Sequence, residues 1–210
     1  MSIASNPNEP WSIFLPLKHF SAGKSRLGTI PTDFRISLIK AMASDLIDAL
    51  LQVPNIANIT IVGVDHRELT NAENPKLNSF PIHEPIDINS DLMVAIGELN
   101  RIAIFLPDLP SVKPTEISLA LELAAQQKTS FIADLNSIGT TCFFSTVGKV
   151  PTNFGLNSAA AHRAANAIEL ADPQFVGIKA DCDDWSDLLE INPADLGHST
   201  RSLMEHHLQN

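Results

Sequence analysis

A short segment near the amino terminus, LPLKHFSAGKSRLG, carries three permanent positive charges at Lys18, Lys24 and Arg26. Its Gly-Lys-Ser triplet is like the end of a phosphate-binding P-loop, but that pattern requires glycine at position 18, where this chain has lysine. Charges this dense repel one another unless an anion lies among them, and a polyphosphate is a suitable anion. The segment therefore predicts either a nucleotide phosphate site or a solvated basic turn without a function.

Three aspartates stand where a divalent cation could be held. Asp108 follows an apolar run between two prolines, which suits a ligand of a hard cation such as Mg²⁺ but is also typical of an ordinary turn. If their segment is extended, Asp181 and Asp183 project to the same side, where two carboxylates repel unless a cation lies between them. Asp184 is the better candidate for capping the helix that begins at Trp185.

A third group of residues could bind an anionic substrate. Thr140 and Thr141 offer two hydroxyls in a flexible segment. Gly155 and Ser158 lead into the start of a helix, where free N–H groups and the helix dipole favour an anion, although Ser158 could equally be only the helix cap. His162 lies one turn into that helix and could face either the site or the core.

The elements that must position these residues are alternating strands and helices. Continuous apolar runs predict strands at 11–17, 58–64, 101–106, 130–133, 141–145 and 175–180. Amphipathic runs predict helices at 31–52, 89–99, 114–127 and from 157 or 158 onward. This pattern indicates an α/β protein with a mostly parallel sheet that has helices on both faces. Because ligands of such sheets bind outside the carboxyl ends of the strands, the cations, carboxylates and hydroxyls should meet at one edge.

The composition of the 210 residues is that of a globular protein, with 44% hydrophobic and 18% charged residues. A net charge of −10 argues against nucleic acid and anionic membranes as partners. Cys142 and Cys182 lack metal-ligand spacing, so we expect reduced thiols in a cytoplasmic protein. No signal peptide is visible, and no apolar run approaches the ~20 residues of a membrane helix.

The chain has no internal repeat or low-complexity linker, so we expect one main domain. Its predicted bounds are 11–192, with a flexible segment at 1–10 and a helical tail at 193–210. The tail carries Leu203 and Met204 on one short helix, and these side chains could pack on the core or on a second subunit.

Several motifs resemble those of the guanylyltransferases of deazaflavin coenzyme F-420 biosynthesis, which act on 2-phospho-L-lactate or phosphoenolpyruvate. LPLKHFSAGKSRL is similar to the family's K-x-x-x-x-x-K-S-R-L element, and FLPDLP is similar to L-P-A-D-L-P. IGTTCFF resembles G-T-x-T, NFGLNSAAAH resembles F-G-P-G-S-x-x-x-H, and DCDDWSDL resembles D-x-D-T-P-x-D-L. The matches keep the family's order over roughly residues 12 to 190.

The resemblance implies a nucleotide-diphosphosugar-transferase-like (GT-A-like) sandwich with a mixed sheet. It implies transfer of GMP from GTP to a phosphorylated three-carbon acid, with release of pyrophosphate. Carried onto this chain, the Mg²⁺ ligands would be Asp108, Asp181 and Asp183. The acid would be bound by Thr140 or Thr141, together with Gly155 and Ser158. The triphosphate would meet Lys18, Lys24 and Arg26, with Asn89 also on the nucleotide, and the catalytic residues would be Lys24, Arg26 and Asp108.

The chain departs from the family's pattern at three places. Asp108 follows Pro107 directly, without the family's intervening alanine. Asp87-Ile88-Asn89 replaces Gly-Leu-Asn, which leaves the preference for guanine open. Leu156-Asn157 replaces Pro-Gly, which leaves a 3-phosphoglycerate-type acid open as a substrate.

Two alternative functions remain open on the sequence. One is another nucleotidyltransferase of the same fold, of the cytidylyl or sugar-nucleotide type. The other is a nucleotide-binding module without chemistry, although the three aspartates and the basic segment argue against it. The expected partners are GTP, a phosphorylated acid, a second copy in a homodimer and a downstream transferase of the same pathway.

Overall fold

The computed structural model describes residues 9–17, 30–70 and 74–208. In this part of the chain seven strands form one sheet in the order β3-β2-β1-β4-β6-β5-β7. The strands are β1 (Trp11–Pro16), β2 (Ile56–Gly63), β3 (Leu77–Pro81), β4 (Ile102–Phe105), β5 (Thr129–Ala133), β6 (Thr140–Ser145) and β7 (Ile168–Glu169). Only the pairs that include β6 are antiparallel, so the sheet is mixed and mostly parallel, as predicted.

Helices cover both faces of the sheet, which confirms the predicted α/β sandwich. The helices are α1 (Thr32–Leu51), α2 (Ile88–Ile96), α3 (Pro114–Ala124), α4 (Ser158–Ala164), α5 (Trp185–Glu190) and α6 (His198–Leu208). Side chains of β1 alternate between two apolar clusters because successive residues of a strand point to opposite faces. Ile13 and Leu15 pack in the cluster of α1 and α3, whereas Phe14 packs in the cluster of α2 and α4.

The antiparallel strand β6 brings its first residue to the edge where its neighbours end. Ala133, the last residue of β5, pairs with Thr140, and Phe105, the last residue of β4, pairs with Cys142. The start of β6 and the carboxyl ends of β4 and β5 therefore lie side by side. This edge holds the segments after β4 and β5 as well as the two threonines at the start of β6.

The predicted strand at 175–180 is wrong. Residues Gly177–Lys179 form a short 3₁₀ turn, and β7 pairs with β5 at the edge of the sheet instead. The carboxylate of Glu116 explains the difference, because its Oε1 accepts hydrogen bonds from the amides of Val176 and Gly177, each at 2.7 Å. These N–H groups point at a buried side chain on α3 and are not available to pair with a strand.

The carboxyl-terminal helix α6 packs on α1. Asp45 of α1 is buried, and its two carboxylate oxygens accept the amides of Ser199 and Thr200, each at 2.8 Å. Met204 is buried in a third apolar cluster that also contains Leu38 of α1. Of the two placements left open for the tail, the structure shows packing on the core. The domain bounds 11–192 and 193–210 stay predictions.

Within the described residues, no helix combines the length and the apolarity that crossing a membrane requires.

Candidate active site

A cavity of about 740 Å³ opens at the edge of the sheet described above. Six of the predicted site residues line it together: Asp108, Thr140, Gly155, Ser158, Asp181 and Asp183. They come from four separate stretches of the chain, and the topology of the sheet brings them to one place. One wall of the cavity is acidic. A second wall, which other segments form, consists of hydroxyl and backbone groups.

The acidic wall consists of two segments that are joined by a backbone hydrogen bond. Asp108, after β4, is buried, and its carbonyl oxygen accepts the amide of Cys182 at 3.0 Å. Cys182 lies between Asp181 and Asp183, which are both half-buried. This bond fixes the spacing of the two backbones that carry the three candidate ligands.

The start of α5 holds the second of these segments in place. Asp184 caps the helix, as predicted, and its Oδ1 accepts the amides of Ser186 at 2.8 Å and Asp187 at 3.1 Å. Asp187 bonds back to the segment before the helix, since its Oδ2 accepts hydrogen bonds from the amides of Asp183 at 2.8 Å and Asp184 at 2.9 Å. The backbone at Asp183 is thus fixed by the helix that follows it.

The donor chemistry of the acidic wall fits Mg²⁺, which prefers carboxylate oxygens. In the part of the chain that the structure describes, no three His, Cys, Asp or Glu side chains converge closely enough to hold a metal ion by themselves. Mg²⁺ is commonly held by one or two carboxylates together with substrate phosphates and water, rather than by an all-protein cage. Asp108 and Asp181, with Asp183 beside them, fit that arrangement.

Cys142 lies in the core behind this wall. Burial raises the pKa of its thiol well above the usual value, and the carboxylates of Asp108, Glu116 and Asp181 raise it further. Such a thiol stays protonated and is a poor nucleophile. Neither Cys142 nor Cys182 is in a disulfide, and both are buried, as expected for reduced structural cysteines.

The second wall is built from Thr140 at the start of β6 and from the loop that precedes α4. Gly155 has a φ of +134°, a conformation that side-chain-bearing residues rarely adopt. Ser158 is the buried first residue of α4. The helix α4 has only seven residues, and the hydroxyl-bearing residues that this wall brings to the cavity are Thr140 and Ser158.

His162 supports this wall from behind. It is fully buried and is stacked on Phe131 and Phe143, with ring centroids 5.5 and 4.9 Å away. Its Nδ1 lies 3.0 Å from the Thr140 hydroxyl, and its Nε2 accepts the amide of Asn153 at 3.0 Å. His162 therefore faces the core and touches the site only through Thr140 and the loop.

With this geometry in place, comparison with known proteins decides the family. The family model of CofC-like guanylyl transferases matches residues 11–204. The chain belongs to this family. The motif resemblance found in the sequence is thereby confirmed, as is a nucleotidyltransferase-type enzyme.

Curated relatives of the CofC-like family match almost the whole chain. The phosphoenolpyruvate guanylyltransferase of Salinispora arenicola is 31% identical over 200 residues, which cover 92% of this chain and 92% of the relative. The phosphoenolpyruvate guanylyltransferase of Mycolicibacterium vanbaalenii is 27% identical over 205 residues, which cover 93% and 96%.

Solved structures share the fold at low sequence identity. A protein from Desulfovibrio desulfuricans G20, assigned as a nucleotide-diphospho-sugar transferase, has a TM-score of 0.67 at 15% identity, covering 94% of this chain and 95% of the other. Rv0371c from Mycobacterium tuberculosis, solved in complex with manganese, has a TM-score of 0.52 at 14% identity, covering 86% and 96%. These likenesses confirm the predicted nucleotide-diphosphosugar-transferase-like fold.

Of the two threonines in the CofC-like Gly-Thr segment, only Thr140 lines the cavity. The Thr141 hydroxyl points into the sheet and donates to the carbonyl of Ile132 at 3.4 Å. Neighbouring residues of a strand point to opposite faces, so both side chains cannot reach one ligand. The structure therefore does not support Thr141 as a substrate-binding residue.

Asn89 is engaged with the loop before Gly155. Its Oδ1 accepts the amide of Phe154 and the hydroxyl of Thr152, each at 2.8 Å, and its Nδ2 donates to the carbonyl of Phe154 at 2.9 Å. These bonds give Asn89 a structural role in holding the wall that contains Gly155. Its contact with the nucleotide stays a prediction.

The basic residues Lys18, Lys24 and Arg26 lie outside the described residues. Their roles toward the triphosphate stay predictions. The described part of β1 ends at Pro16.

Sequence reasoning missed two carboxylates that build the site. Asp134 follows β5, lines the cavity, and accepts the amides of Ile138 at 2.9 Å and Gly139 at 2.7 Å, which closes the turn into β6. The rule that ligands bind at strand ends could have found it, because it directly follows a predicted strand. Glu116 had no such signal, since a carboxylate in the first turn of a helix is usually exposed.

Proposed function

We propose that this protein transfers the GMP group of GTP to a phosphorylated three-carbon acid and releases pyrophosphate, as a step of coenzyme F-420 biosynthesis. Phosphoenolpyruvate is the first candidate for the acid, since it is the substrate in the names of the relatives, and 2-phospho-L-lactate is the second. The observation that carries the proposal is a cavity of this CofC-like chain that both a carboxylate wall and a hydroxyl-bearing wall line.

In the proposed reaction, an oxygen of the acid's phosphate attacks the α-phosphorus of GTP in line. A new bond forms between that oxygen and the α-phosphorus, the bond from the α-phosphorus to the bridging oxygen breaks, and pyrophosphate leaves with the electron pair. A phosphomonoester is already anionic near neutral pH, so no side chain has to remove a proton. The protein's tasks are to position the two substrates and to neutralise their charge.

Asp108, Asp181 and Asp183 are the residues proposed to hold Mg²⁺. The ion, when bound, neutralises negative charge on the phosphates of GTP. The carboxylates also repel unbound anions, so the acid substrate is directed toward the second wall. Divalent-metal use in the fold is supported by the manganese complex of Rv0371c.

Lys18, Lys24 and Arg26 are proposed to meet the triphosphate, with Lys24 and Arg26 neutralising charge as the reaction proceeds. The support is their density in the sequence and the similarity of their segment to the family's K-S-R-L element. Asn89 is proposed as a nucleotide contact on the same ground of family resemblance.

The acid is proposed to bind at Thr140, Gly155 and Ser158. The family's Pro-Gly pair is Leu156-Asn157 here, and both of these residues line the cavity. Asn157 adopts a left-handed backbone conformation, with a φ of +56°. Glycine enters this conformation most readily and asparagine is among the few other residues that do. The replacement is therefore compatible with an unchanged loop backbone, which favours the family's acids over a larger substrate.

The proposal is tested by measuring pyrophosphate release from each of the four nucleoside triphosphates with a panel of acids and sugar phosphates, in the presence of Mg²⁺. We expect turnover with GTP and phosphoenolpyruvate or 2-phospho-L-lactate. Turnover only with 3-phosphoglycerate, with a sugar phosphate or with CTP would instead establish the alternative nucleotidyltransferases. GTP binding by calorimetry without turnover on any acid would establish a non-catalytic module.

A cytoplasmic location and a downstream transferase that consumes the guanosine-diphospho-acid complete the proposal. The two buried cysteines, neither of which is in a disulfide, support the location. A homodimer also stays a proposal, tested by light scattering of the full chain.

A further inference from the structure

His162 is a buried imidazole whose two ring nitrogens join the two halves of the acid-binding wall. Nδ1 contacts the hydroxyl of Thr140 on β6, and Nε2 contacts the amide of Asn153, two residues before Gly155 in the loop. The ring is held between aromatic side chains, so it cannot turn without disrupting the core.

The direction of each hydrogen bond follows from the chemistry of the partners. A backbone N–H can only donate, so Nε2 of His162 must accept from Asn153 and must carry no proton. Burial lowers the pKa of His162 to about 4, against a smaller opposite effect of a hydrogen bond with the backbone of Ser158. The ring is therefore neutral near neutral pH, and its single proton is on Nδ1. Nδ1–H then faces two acceptors, Oγ1 of Thr140 and the backbone carbonyl of Ser158, and because Nδ1 carries the proton it cannot accept from the Thr140 hydroxyl.

The place of this proton determines what the Thr140 hydroxyl can do. Because Nδ1 of His162 cannot accept, the hydroxyl hydrogen of Thr140 must point away from the ring. Among the residues that the structure describes, Thr140 has no other side-chain hydrogen-bond partner, and it lines the cavity. Its hydrogen is thus available to an acceptor inside the cavity.

We propose that His162 is a positioning residue that fixes Thr140 as a hydrogen-bond donor toward an anionic oxygen of the acid substrate. This inference rests on the proposed function, because the acid is the anion assigned to this wall. The bond from Asn153 to Nε2 also keeps the loop in register with β6, so that one side chain aligns both parts of the wall. The negative substrate and the donating hydroxyl form a charge-assisted hydrogen bond.

Two amide substitutions separate the two contacts of the ring. The amide of His162→Gln reaches the place of Nε2 and can keep the bond to Asn153, but it leaves no donor for Thr140. The amide of His162→Asn reaches the place of Nδ1 and can donate to Thr140. We expect KM for phosphoenolpyruvate to rise roughly ten- to hundredfold in His162→Gln, with KM for GTP unchanged, and His162→Asn to recover most of the loss.

A double variant shows whether His162 acts through Thr140. Thr140→Val should raise KM for phosphoenolpyruvate, and Thr140→Ser should preserve it. Adding His162→Gln to Thr140→Val should cause no further rise, because residues that act through one contact are not additive. Equal rises in KM for GTP and for the acid, or additive effects in the double variant, would overturn the proposal and leave His162 as a packing residue.

The tautomer can be measured without any activity and without a variant. In ¹⁵N-labelled wild-type protein, NMR of the imidazole nitrogens should show His162 neutral with its proton on Nδ1. A proton on Nε2 overturns the inference even if the enzyme is active. Conversely, absence of turnover with every acid, with the proton found on Nδ1, contradicts the proposed function and leaves the tautomer of His162 established.

Discussion

The backbone carbonyl of Asp108 accepts a 3.0 Å hydrogen bond from the amide of Cys182. Residue 108 follows β4, whereas residue 182 lies in the segment after the 3₁₀ turn, and the bond joins them behind the cavity. The carboxylates of Asp108, Asp181 and Asp183 thus lie on two backbone segments that this hydrogen bond holds together. The fold therefore holds the acidic wall together, and each of its residues can be tested by substitution.

Removing one carboxylate from this wall should remove most of the activity. We expect Asp181→Asn to lower kcat for pyrophosphate release by roughly two to three orders of magnitude, because a charged group that acts on the reacting phosphates is lost. The measurement is steady-state pyrophosphate release with Mg²⁺ present. Asp172→Asn is the matched control, since Asp172 only accepts the amide of Gln174 and an asparagine oxygen can do the same. Near-normal turnover in Asp181→Asn contradicts the metal role.

Glu116 should matter for stability and activity together. Its Oε1 accepts three amides of the turn that leads to Asp181, and its Oε2 accepts the amide of Lys113 at 2.8 Å. Glu116→Ala leaves these donors without their acceptor, so we expect the free energy of unfolding to fall by about 3 to 5 kcal/mol. Urea unfolding measures this fall, and turnover of the folded variant should also drop because the backbone before Asp181 is released.

The control for Glu116 is Glu122→Ala, an exposed position on the same helix. It should change the free energy of unfolding by no more than about 0.5 kcal/mol. Equal effects at the two positions would show that the buried hydrogen bonds of Glu116 contribute little.

Asp45 should stabilise the tail without affecting catalysis. Its carboxylate accepts the first amides of α6 and so caps that helix from α1. We expect Asp45→Ala to lower the free energy of unfolding by about 1 to 2 kcal/mol and to leave the kinetic constants unchanged. Glu122→Ala, at an exposed position of α3, is the control. A large rise in KM in Asp45→Ala would show that α6 contributes to the site.

His162 should make the stability depend on pH. Its pKa is lowered by burial from 6.5 to about 4 in the folded protein, so below pH 6.5 the unfolded chain binds a proton that the folded chain does not. The free energy of unfolding therefore falls as the pH falls through this window, by up to roughly 3 kcal/mol near pH 4, and this group has no effect above the window. Urea unfolding across the window measures the slope.

The slope should be shallower in His162→Gln, which has no imidazole to titrate. Carboxylates elsewhere contribute to both proteins and cancel in the comparison. Identical slopes in the two proteins would mean that His162 does not remain neutral in the folded state.

Several local features could be predicted because the residues that decide them are neighbours in the chain. Asp184 was expected to cap the helix at Trp185, and it does so with amides only two and three residues away. Apart from the run at 175–180, the predicted strands with continuous apolar residues and the predicted helices were also correct in kind. Their ends moved by a few residues, as at α3, which ends at Ala124.

The error at 175–180 and the points that the sequence left open have one cause, because a distant residue decides what the local pattern does. The apolar run at 175–180 has the composition of a strand, but Glu116, about 60 residues earlier, binds its amides and turns it. The sequence did not distinguish Thr140 from Thr141 as a substrate-binding residue. The register of β6 against β5 shows that Thr140 faces the cavity. His162 could have faced either way until the phenylalanines around it were placed.

The sequence by itself determined the chemistry that is available to this protein: carboxylates, hydroxyls, cationic side chains and an alternation of strands and helices, in an order typical of one family. These are properties of residue types and of short-range spacing, and no folding is needed to see them. Tertiary structure alone decided which of those groups share one cavity and which of them are held in hydrogen bonds with the rest of the protein. The reason is that burial, hydrogen-bond direction and the facing of a side chain depend on partners that lie tens of residues away along the chain.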